Sequence, residues 1–352
     1  MGSAAAWWLA RRGRDVVLLE QYEQGHTRGS SHGGSRIFRL AYDRPDYVAM
    51  AQEALPLWRE LEDDAGQPLL LTTGGVDHGP AERLRPLVDA LAVHRAAVEW
   101  MSPADAGARW PGLRFDEHVV YQPDAGCCLA DATVRALQLG ATAHGAVFRF
   151  GVRAGCRVVG DQVEVATGDE GYRARVAIVA AGSWTARTMP EHGRHALPPM
   201  RVTQEQVFHF RPHTGSGDWP SFIHHRAPWR YGLLTPGEGV KVAEHGSGPE
   251  TDPDERSFAV DPAGRARVCE YAARWLPGVE PDPVSATTCL YTTTPTEDFV
   301  VDRVPGTPLV VAAGFSGHGF KFTPLIGRML ADLAEERPGA GHPRFALSRS
   351  SG

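Results

Sequence analysis

The chain has 352 residues, 42% apolar and 22% charged, with a formal net charge of -6. That length allows about two domains with sizeable cores, and the acidic balance argues against a nucleic-acid partner, which usually calls for a basic stripe. No window approaches the roughly 18 consecutive apolar residues of a membrane helix and no leader pattern marks a secretory signal, so the expected setting is the cytoplasm, away from membranes.

The first stretch, MGSAAAWWLARRGRDVVLLE, reads as a helix over 3–12, a glycine stop at Gly13, a buried strand over 15–19 and a terminal acid, Glu20. This is the second half of a Rossmann βαβ unit, in which the acid accepts hydrogen bonds from the ribose of an adenine cofactor. Gly2 stands 18 positions before Glu20, which suits the last glycine of G-x-G-x-x-G. The first strand and the first two glycines of that unit are absent. The expectation is an N-terminally truncated chain, with Met1 an internal methionine of the phosphate loop.

Residues 24–42, QGHTRGSSHGGSRIFRLAY, form a Gly/Ser/His-rich loop that turns basic and apolar. Arg36 and Arg39, three apart, would share one face of a helical turn. Helical periodicity follows over 47–62 and 83–93, on either side of a strand and turn at 69–79. After a turn at 108–113, a strand leads to a helix from Ala130 with Asp131 as its cap. The apolar strand within 175–185 runs into Gly182, where a cofactor can lie against bare backbone. From 199 to 286, short strands with frequent Pro and Gly indicate an antiparallel layer. FVVD and PLVVAAG return to buried strands, and the last helix covers 324–336.

The five cysteines, Cys127, Cys128, Cys156, Cys269 and Cys289, are odd in number and lack a CxxC. Neither a disulfide framework nor a metal site is expected. A hydrolase built on Ser316 and His318 fails the G-x-S-x-G spacing. Adjacent His224 and His225 would point to opposite faces of a strand, which argues against a shared metal.

Four blocks carry a resemblance: GSSHGGSRIFRLAY at 29–42, GVKVAEH at 239–245, CLYTTTPTEDFVVD at 289–302 and GFSGHGFKF at 314–322. Together they resemble the monomeric sarcosine oxidase and N-methyltryptophan oxidase family, flavoenzymes of the D-amino-acid-oxidase-like superfamily. The resemblance covers essentially the whole chain apart from its start. It implies a mixed α/β fold: an FAD-binding Rossmann-like domain, over 1–75, 140–198 and 290–350, with its first β-strand missing. An inserted antiparallel β-sheet catalytic domain, over 76–139 and 199–289, would roof the flavin ring.

The resemblance also implies roles. Cys289 would bind FAD covalently as a thioether, while the other cysteines match nothing. Gly2, Glu20, Ser31, His32, Arg36, Gly182, Gly314, Gly317, Gly319, Phe320 and Lys321 would surround the cofactor. Arg39 and Lys321 would clamp a substrate carboxylate, a task suited to the planar guanidinium fork. Lys241 would set a fixed cation where O₂ is reduced. His318, Arg36, Tyr231 and His245 complete the catalytic set. The glycines of 314–319 would let backbone approach the flavin ring, with helix N-terminal amides facing its negative charge.

The expected activity is oxidation of an N-methyl amino acid by hydride transfer to flavin, with O₂ reduced to H₂O₂, in a monomer. Glu244 before His245, the paired histidines in FIHHRAPWRYG and Trp229 depart from the family pattern. Pocket size therefore stays open, and with it the choice between sarcosine and N-methyl-L-tryptophan or another bulky N-alkyl amino acid. A nicotinamide dehydrogenase would leave Cys289, Lys241 and the 314–322 block unexplained. An inactive, flavin-free remnant serving as a binding module would have no need of Arg39, Lys241, Cys289, His318 and Lys321.

Overall fold

The computed structural model describes residues 1–168 and 170–347. Helix Gly2–Arg11 forms from an Ala-rich run whose Ala4, Ala5, Ala6 and Trp7 are buried, and the chain turns at Gly13 with φ +71°. That small face lets the last long helix, Thr323–Ala334, come close: a Cβ on Gly327 would stand 2.5 Å from that of Ala4. Helix Ala130–Ala143 packs on another flank, where Gly140 leaves room for the Trp7 indole. Trp7 Nε1 also donates to Asp64 of helix Pro45–Ala65 at 2.7 Å. The four helices share one core with strands Val300–Arg303 and Leu309–Ala313. Burial of each large side chain there, such as Trp58 or Phe322, stabilises by about 1.5–3 kcal/mol.

Strand Val17–Leu19 pairs in parallel with Val147–Arg149. Ala177–Val179 pairs in parallel with Leu309–Ala313, which takes Val300–Arg303 antiparallel on its other edge. These are separate sheets, and Gly2 lies between them: its missing Cβ would be 3.6 Å from Ala180 and 3.8 Å from Leu18. A three-stranded antiparallel sheet, Gly155–Val159, Gln162–Thr167 and Glu170–Ala174, stands beside this layer.

The second layer is an eight-stranded sheet. Its spatial order is Val279–Thr293, Arg201–Pro212, Gly239–Glu244, Arg230–Thr235, Ser221–His224, Gly75–Gly79, His118–Gln122, Glu99–Met101. Every neighbour is antiparallel except Ser221–His224 on Gly75–Gly79. Side chains alternate across a strand. Phe208, Phe210, Phe222, Val240 and Val242 therefore bury one face against helix Pro262–Trp275. The intervening His209, Ile223, Tyr231, Leu233 and Lys241 line a cleft on the other.

Four expectations change. Residues 262–275 form a helix inside the segment read as short strands. Asp261 caps it, accepting from the amides of Ala263 and Gly264 at 3.2 and 2.7 Å, and Val268, Tyr271, Ala272 and Trp275 form its buried stripe. Arg36 lies in strand Arg36–Phe38, so Arg36 and Arg39 do not share a helical face. Asp131 is not a cap: the helix begins after Leu129, and the Asp131 carboxylate accepts from the Gly33 amide at 2.8 Å. The boundary placed between 139 and 140 falls inside helix Ala130–Ala143, whose Ala136, Leu137 and Ala141 belong to the first core. Among the described residues no helix is long and apolar enough to cross a membrane.

Candidate active site

Between the two layers runs a cleft of about 1980 Å³. Pockets for single small ligands span roughly 300–1,000 Å³, so this one has room for more than one small ligand. The candidate residues named above all line it, from Gly2 and Glu20 at one end to Lys321 at the other. Their contacts divide them into two groups.

The first group surrounds the loop between Ser30 and Arg36. The Arg36 guanidinium folds back on it, donating to the carbonyls of Ser35 and Ser30 at 2.7 Å and of His32 at 2.6 Å. Ser30 Oγ donates to the Leu290 carbonyl at 2.6 Å, which ties the loop to the strand carrying Cys289. Ser31 is exposed, while His32 is buried with no partner for Nε2. Burial, then the Arg36 charge, pulls the His32 pKa down to about 4. Glu20, just past strand Val17–Leu19, accepts from the Tyr22 amide at 3.0 Å.

Lys241 reaches the same loop from the sheet, donating to the Ser35 carbonyl at 2.6 Å. It is buried, and desolvation followed by the Arg36 charge lowers its pKa to about 7. Cys289 is also buried, opposite Glu205 in the strand register. Burial pushes its thiol pKa up, against the pull of Arg36, Lys241 and Arg256. Of the other cysteines, Cys127, Cys128 and Cys269 lie off the cleft, and Cys156 reaches the Thr188 carbonyl at 3.2 Å.

The second group meets at Tyr42. Lys321 Nζ donates to the Tyr42 hydroxyl at 2.8 Å and to the His318 carbonyl at 2.6 Å. His318 Nδ1 lies 3.1 Å from the same hydroxyl, and its Nε2 lies 3.0 Å from the Glu297 carbonyl. The Arg39 guanidinium sits 4.4 Å over the Tyr42 ring and donates to the Ala41 carbonyl. Burial, then the neighbouring Arg39, holds the Lys321 pKa well below its usual value. Burial, then Lys321, does the same to His318. His245 falls to about 4 through burial, then Arg39 and Lys321. Both imidazoles are therefore neutral at pH 7.

Tyr231 and Tyr291 close this end, with hydroxyls 3.5 Å apart, and the His245 ring lies 5.5 Å from that of Tyr291. Gly317, at φ +76°, packs where a Cβ would stand 2.2 Å from the Tyr291 ring. This glycine therefore answers a packing demand within the protein itself. Trp58 Nε1 donates to the Lys321 carbonyl at 2.8 Å and anchors the block to the helical core.

Among the basic side chains that line the cleft, four meet in these two groups. Arg36, Arg39, Lys241 and Lys321 bond only to carbonyl or hydroxyl oxygens, and among the described residues none has a carboxylate partner. Glu244, the departure noted from sequence, is engaged elsewhere, with Arg230 at 3.0 Å and Arg267 at 2.9 Å. Sequence reasoning missed Tyr42 as the hub, although it ends the quoted RIFRLAY run. It also missed a buried pair in the cleft wall, Asp77 and His225.

Comparison with known proteins follows the same lines. The family described as FAD dependent oxidoreductase matches residues 1–333. A protein named monomeric sarcosine oxidase from Streptomyces avermitilis is 33% identical over 360 residues, covering 95% of this chain and 91% of that protein. Human peroxisomal sarcosine oxidase is 32% identical over 370 residues, covering 99% and 93%. The solved structure of NikD, an unusual amino acid oxidase essential for nikkomycin biosynthesis, superposes with a TM-score of 0.87 at 28% identity, covering 99% and 95%.

Proposed function

This chain belongs to the FAD dependent oxidoreductase family, and from that membership we propose that it is an oxidase of secondary amino acids, sarcosine-like in substrate. The observation that carries the reading is the set of four cations without carboxylate partners around one cleft. Unpaired charge on the buried Lys241 and Lys321 would be costly, and an anionic cofactor with a carboxylate substrate would relieve it.

The residues present fit FAD. Gly2, Glu20 and Gly182 leave the adenine side of the cleft open beside backbone, and the orphaned His32 Nε2 offers a buried partner within the Gly/Ser loop. FAD held there would supply the hydride acceptor for the carbon beside nitrogen, with O₂ as the final electron acceptor and H₂O₂ as product. Arg39 and Lys321 would hold the substrate carboxylate, and its charge would restore the Lys321 proton that burial disfavours. Tyr42 keeps the two cations in place. Neutral His318 and His245 add no further positive charge beside Arg39 and Lys321, because burial keeps them unprotonated. Lys241 would supply the fixed cation at the oxygen-reacting side. Cys289, buried next to Arg36 and Lys241, would be the thioether ligand of the cofactor.

On the same reading the enzyme works as a monomer in the cytoplasm. The name of the Streptomyces relative supports the first, and cysteines unpaired in disulfides suit a reducing compartment. The test is H₂O₂ release by the purified protein from N-methylglycine and bulkier N-methyl amino acids, alongside its visible spectrum. A colourless protein that releases no peroxide from any of them overturns the proposal.

A further inference from the structure

One buried polar network in the cleft wall is not used by the chemistry above. Asp77, in strand Gly75–Gly79, is buried and, among the described residues, has no arginine or lysine partner. Its Oδ1 lies 2.7 Å from His225 Nε2, and its Oδ2 accepts from Gln122 Nε2 at 2.7 Å. Gln122 Oε1 accepts in turn from the amides of Leu40 and Ala41, at 3.0 and 2.6 Å. The parallel pairing of Ser221–His224 on Gly75–Gly79 makes the first contact possible, and the His225 amide donates to the His78 carbonyl at 2.8 Å. His225 is thereby fixed three hydrogen-bonded links from the backbone that carries Arg39.

The pair is saturated on the Asp77 side and open on the other. With Nε2 donating to the Asp77 carboxylate, the ring's Nδ1 is the free nitrogen. Nδ1 bonds to nothing among the described residues, yet it is not one of the sealed polar atoms, and His225 lines the cleft beside Ile223, Trp229 and Tyr231. A ring this buried that lines the cleft and keeps one nitrogen unpartnered among the described residues has a hydrogen bond left to make.

We propose that His225, oriented by Asp77, is a specificity-determining residue that hydrogen-bonds a polar group at the far end of the substrate side chain. The inference rests on the oxidase reading and deepens it: the preferred substrates are N-alkyl amino acids whose short side chain ends in a carboxamide-like group. Such a group both donates and accepts, so it matches Nδ1 in either protonation state.

The test uses the holoenzyme with N-methyl-L-asparagine and its apolar isostere N-methyl-L-leucine. Binding is read by calorimetry and turnover by peroxide release. The wild type is expected to favour the asparagine derivative by about tenfold or more in Kd, the worth of one well-made hydrogen bond. In His225→Gln the amide nitrogen stands where Nε2 stood and keeps the Asp77 contact, while Nδ1 is lost. That variant should fold and should bring the ratio to within about twofold. A wild type without the preference, or a folded His225→Gln that keeps it, overturns the inference. Failure to bind either ligand overturns it too. Turnover of N-methylglycine, which has no side chain, judges the oxidase reading separately from the calorimetric ratio.

Discussion

The Lys321 ammonium and the Tyr42 hydroxyl lie 2.8 Å apart, and that bond organises the substrate end of the cleft. The same hydroxyl meets His318 Nδ1 at 3.1 Å, and the Tyr42 ring carries the Arg39 guanidinium on its face at 4.4 Å. Removing one oxygen atom should loosen Lys321 and His318 together, while the ring still carries Arg39. A hydrogen bond to a charged group is worth about 1.5–3 kcal/mol. Tyr42→Phe is therefore expected to raise KM for N-methylglycine by about tenfold or more while leaving the fold intact. Steady-state kinetics with a thermal melt will show it; an unchanged KM would remove Tyr42 from the clamp.

Arg39 has no carboxylate partner of its own, so its fork is free for a substrate. Lysine in its place keeps the charge and loses the two-pronged contact. Arg39→Lys should raise KM for N-methylglycine by about 10–100-fold. The loss should be far smaller for N-methylglycinamide, which has no carboxylate. Equal losses on both substrates would point to misfolding.

Lys241 binds its proton less tightly when folded, at about 7 against the ordinary 10.5. Between those values the unfolded chain holds one more proton than the folded chain, so this contribution to stability rises with pH across the window. Below about pH 7 the charged amine is carried at full cost. Lys241→Met should therefore be more stable than the wild type by most at pH 6, with the gap shrinking towards pH 10. Denaturant midpoints of both proteins at the two ends test it, and a constant gap would contradict it. The same variant should slow reaction with O₂ by at least about tenfold if the cation acts there.

Cys289 is the cysteine placed beside Arg36, Lys241 and Arg256. Cys289→Ser should release its flavin on acid precipitation, while the wild type and Cys127→Ser keep theirs. Intact-mass spectrometry of the denatured proteins reads this directly. A wild type that loses all flavin on denaturation would place the cofactor in a non-covalent site.

Gly317 has a positive φ and no room for a methyl group beside Tyr291. Gly317→Ala should cost about 1 kcal/mol for the backbone alone, and displacement of the Tyr291 ring adds to that. Thermal unfolding should show a lower Tm, and the Tyr231–Tyr291 end of the cleft should lose affinity for substrate. An unaltered Tm and KM would mean that the ring moves aside freely.

The sequence by itself determined the local elements wherever one periodicity ruled. The Ala-rich first helix, its Gly13 stop and the strand ending before Glu20 follow from short-range patterns and turn chemistry. So do the buried strand Leu309–Ala313 and the helix after the 314–322 block. Even the overlooked helix Pro262–Trp275 announces itself, through Asp261 ahead of Pro262 and apolar residues at 268, 271, 272 and 275; frequent Pro and Gly nearby masked it. Candidate chemistry was legible too, because cations and glycines cluster in short blocks.

Only the tertiary structure decided which of those groups meet. Tyr42 and Lys321 are separated by 279 positions, and Asp77 and His225 by 148. No periodicity along one segment encodes such a contact; for Asp77 and His225, strand order and register across the eight-stranded sheet do. Arg36 and Arg39 show the limit clearly. Their spacing of three suits a helix, yet pairing of Arg36–Phe38 with Gly126–Cys128 makes a strand, sending one guanidinium to the Gly/Ser loop and the other to Tyr42. Hydrogen bonds to a distant partner strand outweighed the local preference, and that choice separates the cofactor side of the cleft from the substrate side.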